Sequence, residues 1–203
     1  MKVPLRFQVT EFDCGSVTLL NAISYLFERE EIPAELVRAI SLYTLNQYDE
    51  KGNLKEDDLD AETVEKMTDW ITAFAKEKDF GIDCVHLEGE AVSMEKLQTC
   101  MQARGCVFLK TYHPDEHYVL LTNLDSTFAY LFDPYYLDET YYDEGATDIL
   151  EIEFEKPFSY NRKVSLERFE SEKIEDFALG PILKRECVLI WRKPKIFDYE
   201  AHV

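Results

Sequence analysis

A cysteine at the start of an apolar segment is the residue of this sequence best suited to covalent chemistry. Cys14 opens the run 14–27, CGSVTLLNAISYLF, which is apolar almost all round and predicts a buried central helix. Asp13, directly before it, is suited to cap that helix. A thiol at a helix N-terminus lies at the positive end of the helix dipole, which favours the nucleophilic thiolate. By position alone, however, Cys14 could equally be a small core residue.

Three polar residues elsewhere have the types that a thiol nucleophile needs around it. Gln8, six residues before Cys14, could donate its side-chain amide to an oxyanion, beside the backbone N–H of Cys14. His117 begins a predicted strand, and Asp133 ends the strand that would pair with it through the turn 123–126. The two side chains would lie roughly opposite each other, so that the carboxylate can orient the imidazole. Cys14 is the best-placed nucleophile for this pair.

The elements that must position these residues are helices first and strands afterwards. After the first helix, hydrophobic periodicity predicts helices over 34–47, 61–78 (ended by Gly81) and 93–103 (capped by Ser93). Strands are expected over 82–87, 106–112, 117–122, 127–132, 150–154 and 186–191. This order predicts an α+β fold in which the first helix packs on an antiparallel sheet. We expect a single domain over 1–203, with a helical insert at about 33–80.

Composition and charge narrow the classes of partner. The formal net charge of −19 disfavours nucleic acid and anionic membranes as ligands. The sequence has no run of 18 apolar residues and no signal peptide at its start, which predicts a cytoplasmic protein without membrane insertion. The five cysteines show no zinc or redox spacing, so no metal or other cofactor is expected.

Two stretches resemble a known family. Gln8 to Gly15, QVTEFDCG, followed by Leu19-Leu20 and Ile23, resembles the active-site segment of the bacteriocin-processing, double-glycine-leader cysteine peptidases. His117 to Leu121 resembles that family's histidine strand, and Phe132-Asp133-Pro134 resembles its aspartate–proline motif. The likeness extends over about 7–27 and 94–136.

The resemblance implies a papain-like cysteine peptidase fold, with the nucleophile helix packed on an antiparallel sheet that bears the histidine and the aspartate. It implies Cys14 as nucleophile, His117 as general base and then acid, Asp133 as orienting residue and Gln8 as oxyanion donor. The expected activity is hydrolysis of a peptide or related amide bond, with a leader peptide as one candidate substrate.

Two other functions remain open at this point. An acyl or peptidyl transferase would use the same triad with an amine or thiol as acceptor. A papain-like module that binds peptides without cleaving them would share only the fold. In the family, the peptidase usually precedes a membrane-spanning ATP-driven exporter. None follows in this sequence, so an exporter would be a separate partner.

The remaining candidate residues have plainer interpretations. The aromatic and acidic run 133–143, DPYYLDETYYD, could be a rim that attracts a basic peptide, or a solvated loop. His113 is the alternative general base, whereas His86 is expected to be structural and His202 lies in the terminal tail. The other four cysteines are expected in the core, as are both tryptophans: Cys84, Cys100, Cys106 and Cys187, with Trp70 and Trp191.

Overall fold

The computed structural model describes residues 1–45, 59–113, 115–137 and 150–193. In these ranges the helices are α1 (Cys14–Leu26), α2 (Ala34–Leu45), α3 (Ala61–Lys78), α4 (Met94–Gln102) and α5 (Leu166–Glu170). The strands are β1 (Ile82–Glu88), β2 (Cys106–Tyr112), β3 (Glu116–Leu124), β4 (Phe128–Phe132), β5 (Leu150–Ile152), β6 (Arg162–Ser165) and β7 (Glu186–Arg192). The predicted α+β class is confirmed. The short elements α5 and β6 were not predicted.

Within the described ranges, the seven strands form one sheet in the order β1-β7-β2-β3-β4-β6-β5. Every neighbouring pair in it is antiparallel. The central strands β2 and β3 are apolar on both sides because helices cover both faces of the sheet. Phe108 and Leu120 face the core shared with α1, α2 and α3, whereas Val107 and Leu121 face the core shared with α4 and α5.

Helix α1 is buried between the sheet and the helical insert. It contacts β2 and β3 on one side and α2 on the other, while α3 packs against α2 and β1. This position explains why the sequence of α1 has no polar face. Thr18, one turn after Cys14, donates its hydroxyl to the backbone oxygen of Tyr118 in β3 at 3.0 Å. That bond ties the start of α1 to the start of β3, where His117 lies.

The described ends of α1, α3 and α4 lie within one residue of the predicted ones, but the groups that cap them are not always those expected. Asp13 is the N-cap of α1, yet its side chain does not cap the helix and instead accepts from the Thr10 N–H at 3.2 Å. Ser93 caps α4 as expected, accepting from the Lys96 N–H. Helix α3 is ended by Asp79 in the left-handed conformation (φ 51°) and not by Gly81. Aspartate is among the few residues that tolerate this conformation.

Several predictions lie outside the described residues. These are the end of α2 at 46–47, residues 138–143 of the aromatic and acidic run, and His202. No helix in the described ranges has the length and apolar character needed to cross a bilayer.

Candidate active site

Cys14 is the first residue of α1, and its side chain is shielded from solvent. Only 2% of the residue is exposed. A Cβ at the next residue, Gly15, would overlap Cδ1 of Leu59, so any larger residue there would require the Leu59 side chain to move. Leu59 therefore packs directly beside the nucleophile candidate. It comes from the segment that leads into α3, so the helical insert forms one wall of the site.

His117 and Asp133 meet across the β3–β4 hairpin. His117 Nε2 lies 2.8 Å from Asp133 Oδ1, and the two side chains are 8% and 0% exposed. Leu120 pairs with Phe132, so continuing the register sets Asp133 opposite Val119 and not opposite His117. The pairing differs by two residues from the predicted one. Because side chains two apart share a face of a strand, His117 still reaches the carboxylate.

The imidazole of His117 links Asp133 to Cys14. With Nε2 taken by Asp133, the ring also forms a hydrogen bond with the Cys14 side chain. Burial by itself lowers the pKa of His117. The Asp133 charge, the hydrogen bond to Asp133 and the hydrogen bond and charge of Cys14 outweigh burial and raise this pKa from its ordinary value of 6.5 to about 10. The arrangement therefore favours a protonated, positively charged imidazole at neutral pH.

The Asp133 carboxylate is held as an anion although it is completely buried. Burial raises its pKa, but the His117 charge and hydrogen bond, Arg162 and the Tyr135 N–H together lower it below the ordinary value of 3.8. The Tyr135 N–H donates to Oδ1 at 2.8 Å, and Arg162 Nη2 lies 3.3 Å from Oδ2. Oδ1 is thus held by hydrogen bonds from His117 and Tyr135, and Oδ2 by the ion pair with Arg162.

Asn161 and Arg162 support Asp133, and sequence reasoning missed both. Asn161 Oδ1 accepts from the Asp133 N–H at 2.7 Å, and its Nδ2 donates to the Asp133 carbonyl at 2.7 Å. Arg162 is 0% exposed and begins β6. In the sequence, Asn-Arg-Lys at 161–163 looks like a solvated turn. No local signal distinguishes a buried arginine here from an exposed one.

Gln8 lies beside the site, but its amide is engaged in its own loop. Its backbone N–H donates to the Pro134 carbonyl at 2.8 Å, next to Asp133. Its Nε2 donates to the Thr10 carbonyl at 2.9 Å and to the Glu11 carbonyl at 3.4 Å, while its Oε1 is buried and has no hydrogen-bond partner among the described residues. Donation to an oxyanion would require Nε2 to turn away from these carbonyls.

His113 forms a second histidine–carboxylate pair close to the first. Its ring centroid lies 5.9 Å from that of His117, and its Nδ1 lies 3.0 Å from Asp176 Oδ1. The ring also stacks on Phe177, with centroids 5.2 Å apart. Sequence reasoning had found no partner for His113 because Asp176 is distant in the chain.

The other histidine and cysteine predictions concern the core. The Nε2 of His86 lies 3.0 Å from the buried Glu186 carboxylate, and this hydrogen bond raises the pKa of His86. All five cysteines are buried and free of disulfides. Both tryptophans are only half-buried and pack against the edges of the core. In the described part of the chain, no three His, Cys, Asp or Glu side chains are grouped as metal ligands.

Comparisons with known proteins gave few matches. No protein-family model matches the sequence, and no curated protein matches it at a significant level. Among solved structures, the chain is similar to a double glycine motif protease from an AMS/PCAT transporter, determined in complex with the leader peptide. The two share 15% sequence identity, with a TM-score of 0.48 over 95% of this chain and 93% of that chain.

Proposed function

We propose that this chain is a thiol-dependent peptidase or amidase with Cys14 as its nucleophile. One observation carries the proposal. The side chain of a cysteine at a helix N-terminus is hydrogen-bonded to a histidine ring whose other nitrogen is held by a buried carboxylate. A nucleophile, a base bonded to it and a residue that orients the base are the three groups needed to transfer an acyl group to a side chain.

In the proposed reaction, the Cys14 thiolate attacks the carbonyl carbon of the scissile amide. The carbonyl electron pair moves to oxygen, and the backbone N–H of Cys14 and the amide of Gln8 stabilise the oxyanion. His117, protonated at the start, gives its proton to the leaving nitrogen as the C–N bond breaks. This step leaves a thioester on Cys14 and a neutral imidazole.

Hydrolysis of the thioester returns the starting state. The neutral His117 takes a proton from water, and the hydroxide adds to the thioester carbonyl. The C–S bond breaks, the carboxylic acid leaves, and the thiolate and imidazolium are restored. Asp133 keeps the ring orientation throughout, because its Oδ1 stays on Nε2.

The substrate proposal is a peptide, and the narrower candidate is a leader peptide. Support for the narrower candidate is the sequence resemblance at 8–15, 117–121 and 132–134. Because the nucleophile must be reduced, the activity belongs in a reducing compartment such as the cytoplasm.

A thiol-labelling experiment tests the chemistry. Iodoacetamide and E-64 are expected to modify Cys14 stoichiometrically, as read by peptide mass spectrometry, and to leave the other four thiols unmodified in the native protein. Cys14→Ala should abolish labelling, and Cys84→Ala should not change it. The proposal fails if Cys14 in the folded protein reacts no faster than an unstructured thiol and no amide library distinguishes Cys14→Ala from wild type.

A non-catalytic peptide-binding module is the second candidate. It is favoured by the 2% exposure of Cys14 and by the engagement of the Gln8 amide with Thr10 and Glu11. Such a module would bind a peptide with equal affinity before and after Cys14→Ala and would release no product. The transferase alternative is separated by product mass spectrometry with competing amines, because only a transferase incorporates the amine in preference to water.

A further inference from the structure

A buried carboxylate is connected to the candidate active site through one tyrosine. Glu186, the first residue of β7, is only 2% exposed and takes no part in the proposed reaction. His86 Nε2 lies 3.0 Å from its Oε1, and Lys110 Nζ lies 3.6 Å from its Oε2. Oε2 also accepts from the Tyr118 hydroxyl at 3.0 Å. Partners of this kind are required in so shielded a position, because burying an unpaired charge is costly.

Tyr118 joins Glu186 to one wall of the site. It follows His117 in β3, and its hydroxyl oxygen lies 3.0 Å from Glu186 Oε2 and 3.0 Å from the carbonyl oxygen of Leu59. Burial and the charge of Glu186 raise the pKa of Tyr118, so the hydroxyl keeps its proton and acts as a donor. It has a single proton, whereas a carboxylate and a peptide carbonyl only accept. Glu186 and Leu59 therefore compete for the same proton.

The carboxylate is the stronger competitor of the two. A hydrogen bond to an ionised group is roughly twice as strong as one between neutral groups. The positive charge of Lys110 beside Oε2 favours the ionised form of Glu186. The carboxylate therefore takes the larger share of the Tyr118 proton, and the Leu59 carbonyl is bound less firmly than its distance alone would indicate.

Leu59 is the residue whose attachment this competition weakens. Its Cδ1 occupies the place that a Cβ on Gly15 would take, directly after Cys14. It also lines a cavity of about 460 Å³, so the side chain has room to move away from Gly15. Cys14 is only 2% exposed, and its surroundings must move before a substrate can reach the thiol. How firmly Leu59 is held therefore affects access to Cys14.

We propose that Glu186 is a positioning residue that controls access to Cys14. By drawing the Tyr118 proton away from the Leu59 carbonyl, it keeps Leu59 loosely attached, so that a substrate can displace this side chain. The inference rests on the proposed thiol chemistry and adds the control of substrate entry to it. Glu186 acts through Tyr118 and not by contact with the substrate.

Two substitutions should have opposite effects on the attachment of Leu59. Glu186→Met removes the competing acceptor, so the Tyr118 proton passes to the Leu59 carbonyl and Leu59 is held more firmly. Tyr118→Phe removes the donor, so Leu59 is released. Glu88→Met is the matched control, because Glu88 is the exposed cross-strand partner of Glu186. The double variant should behave as Tyr118→Phe alone, because Glu186 has no effect on Leu59 without the hydroxyl.

Two alkylating reagents of different size measure access to Cys14. With iodoacetamide and with the bulkier iodoacetanilide, the thiolate sulfur bonds to the methylene carbon and iodide leaves. A change in the thiolate fraction alters both rates equally, whereas a change in access alters their ratio. We expect the ratio of the iodoacetanilide rate to the iodoacetamide rate to fall several-fold in Glu186→Met and to rise several-fold in Tyr118→Phe, the effect of about one hydrogen bond. Glu88→Met should keep the wild-type ratio.

Hydrogen exchange measures the attachment of Leu59 without any reaction at Cys14. The amides of 60–67, which follow Leu59 at the start of α3, should exchange several-fold more slowly in Glu186→Met and several-fold faster in Tyr118→Phe, as read by mass spectrometry. The amides of α5, which packs on β4 and β6, serve as the internal reference and should not change. A parallel change in α5 would indicate a loss of overall stability instead.

The two measurements distinguish failure of this proposal from failure of the thiol chemistry. If neither reagent labels Cys14 in the native protein, the thiol chemistry fails, and hydrogen exchange still decides whether Glu186 controls Leu59. Opposite shifts in Glu186→Met and Tyr118→Phe, with the double variant equal to Tyr118→Phe, support the proposal. It is wrong if the two variants shift in the same direction, if neither shifts, or if Glu88→Met has the effect of Glu186→Met.

Discussion

Nη2 of Arg162 lies 3.3 Å from Oδ2 of Asp133, and both side chains are completely buried. The guanidinium also donates to the carbonyls of Asn161 at 3.0 Å and of Tyr135 and Leu137 at 3.3 Å each. Arg162 thus fixes the orienting carboxylate and the backbone that follows it. A buried ion pair adds little net stability when compared with an apolar pair, but removing one partner leaves the other charge uncompensated.

We therefore expect Arg162→Met to destabilise the fold strongly. The free energy of unfolding should fall by roughly 3–5 kcal/mol, since Asp133 would lose one of its two buried cationic neighbours and three buried backbone carbonyls would lose their donor. Lys163→Met is the control, because the adjacent Lys163 pairs with Glu151 at the surface and should cost about 0–1 kcal/mol. Urea denaturation of both variants measures the difference. Equal losses would show that the Arg162 pair has no special role.

Asp133→Asn is expected to lose most of the activity and, because the buried Arg162 charge would be left without its carboxylate, part of the stability, so the variant is assayed at a temperature where circular dichroism shows it folded. Asn161 would still bind the backbone of residue 133 on both sides, but the charge that raises the pKa of His117 would be gone. The pKa of His117 should fall, and kcat should decrease by about 10²- to 10⁴-fold. NMR titration of the His117 ring checks the pKa, and peptide hydrolysis checks kcat. An unchanged pKa would rule out the carboxylate as its cause.

The raised pKa of His117 also predicts how stability depends on pH. The folded-state pKa is about 10 and the unfolded value is 6.5, so the folded state binds this proton more tightly. The stabilisation is complete below pH 6.5 and is lost as the pH rises towards 10. The free energy of unfolding of wild type relative to His117→Gln should therefore decline between pH 7 and pH 10, as measured by urea titrations. A difference that grows over this range would contradict the assignment.

Leu59 is expected to restrict access to the Cys14 thiol. Its side chain packs on Gly15, and its carbonyl accepts from the Tyr118 hydroxyl at 3.0 Å, which holds it in place. Leu59→Ala should therefore raise the rate of Cys14 alkylation several-fold at constant pH. Leu42→Ala, at a position that is 66% exposed on α2, is the matched control and should have no effect. If both variants react as wild type does, Leu59 does not limit access.

Several elements could be predicted because their signals are local. The apolar run after Cys14 predicted α1, and the β-branched and aromatic runs predicted β2, β3 and β4. The periodicity of 61–78 predicted the bounds of α3 as they are found. The residue that terminates α3 was assigned to Gly81 instead of Asp79, because Asp79 adopts a conformation that sequence patterns assign to glycine. Short elements such as β6 carry too few residues for periodicity to identify them.

Within the site, residue types could be predicted but not their surroundings. The choice of Cys14, His117 and Asp133 followed from types, chain order and a family resemblance. The two-residue offset of the His117–Asp133 pairing depends on an irregularity between Leu121 and Asn123 that no local pattern shows. The engagement of the Gln8 amide by its own loop is likewise a result of backbone geometry.

The sequence by itself determined a helix that begins at Cys14, an antiparallel sheet and the chemical types of the candidate catalytic residues. These properties depend on hydrophobic patterning and on side-chain identity, which are readable one segment at a time. Only the tertiary structure decided that Arg162 lies behind Asp133, that Leu59 covers Gly15 and that Asp176 pairs with His113. Those relationships join residues that are far apart in the chain. Burial then strengthens the electrostatic interactions and hydrogen bonds between them, which no isolated segment could form.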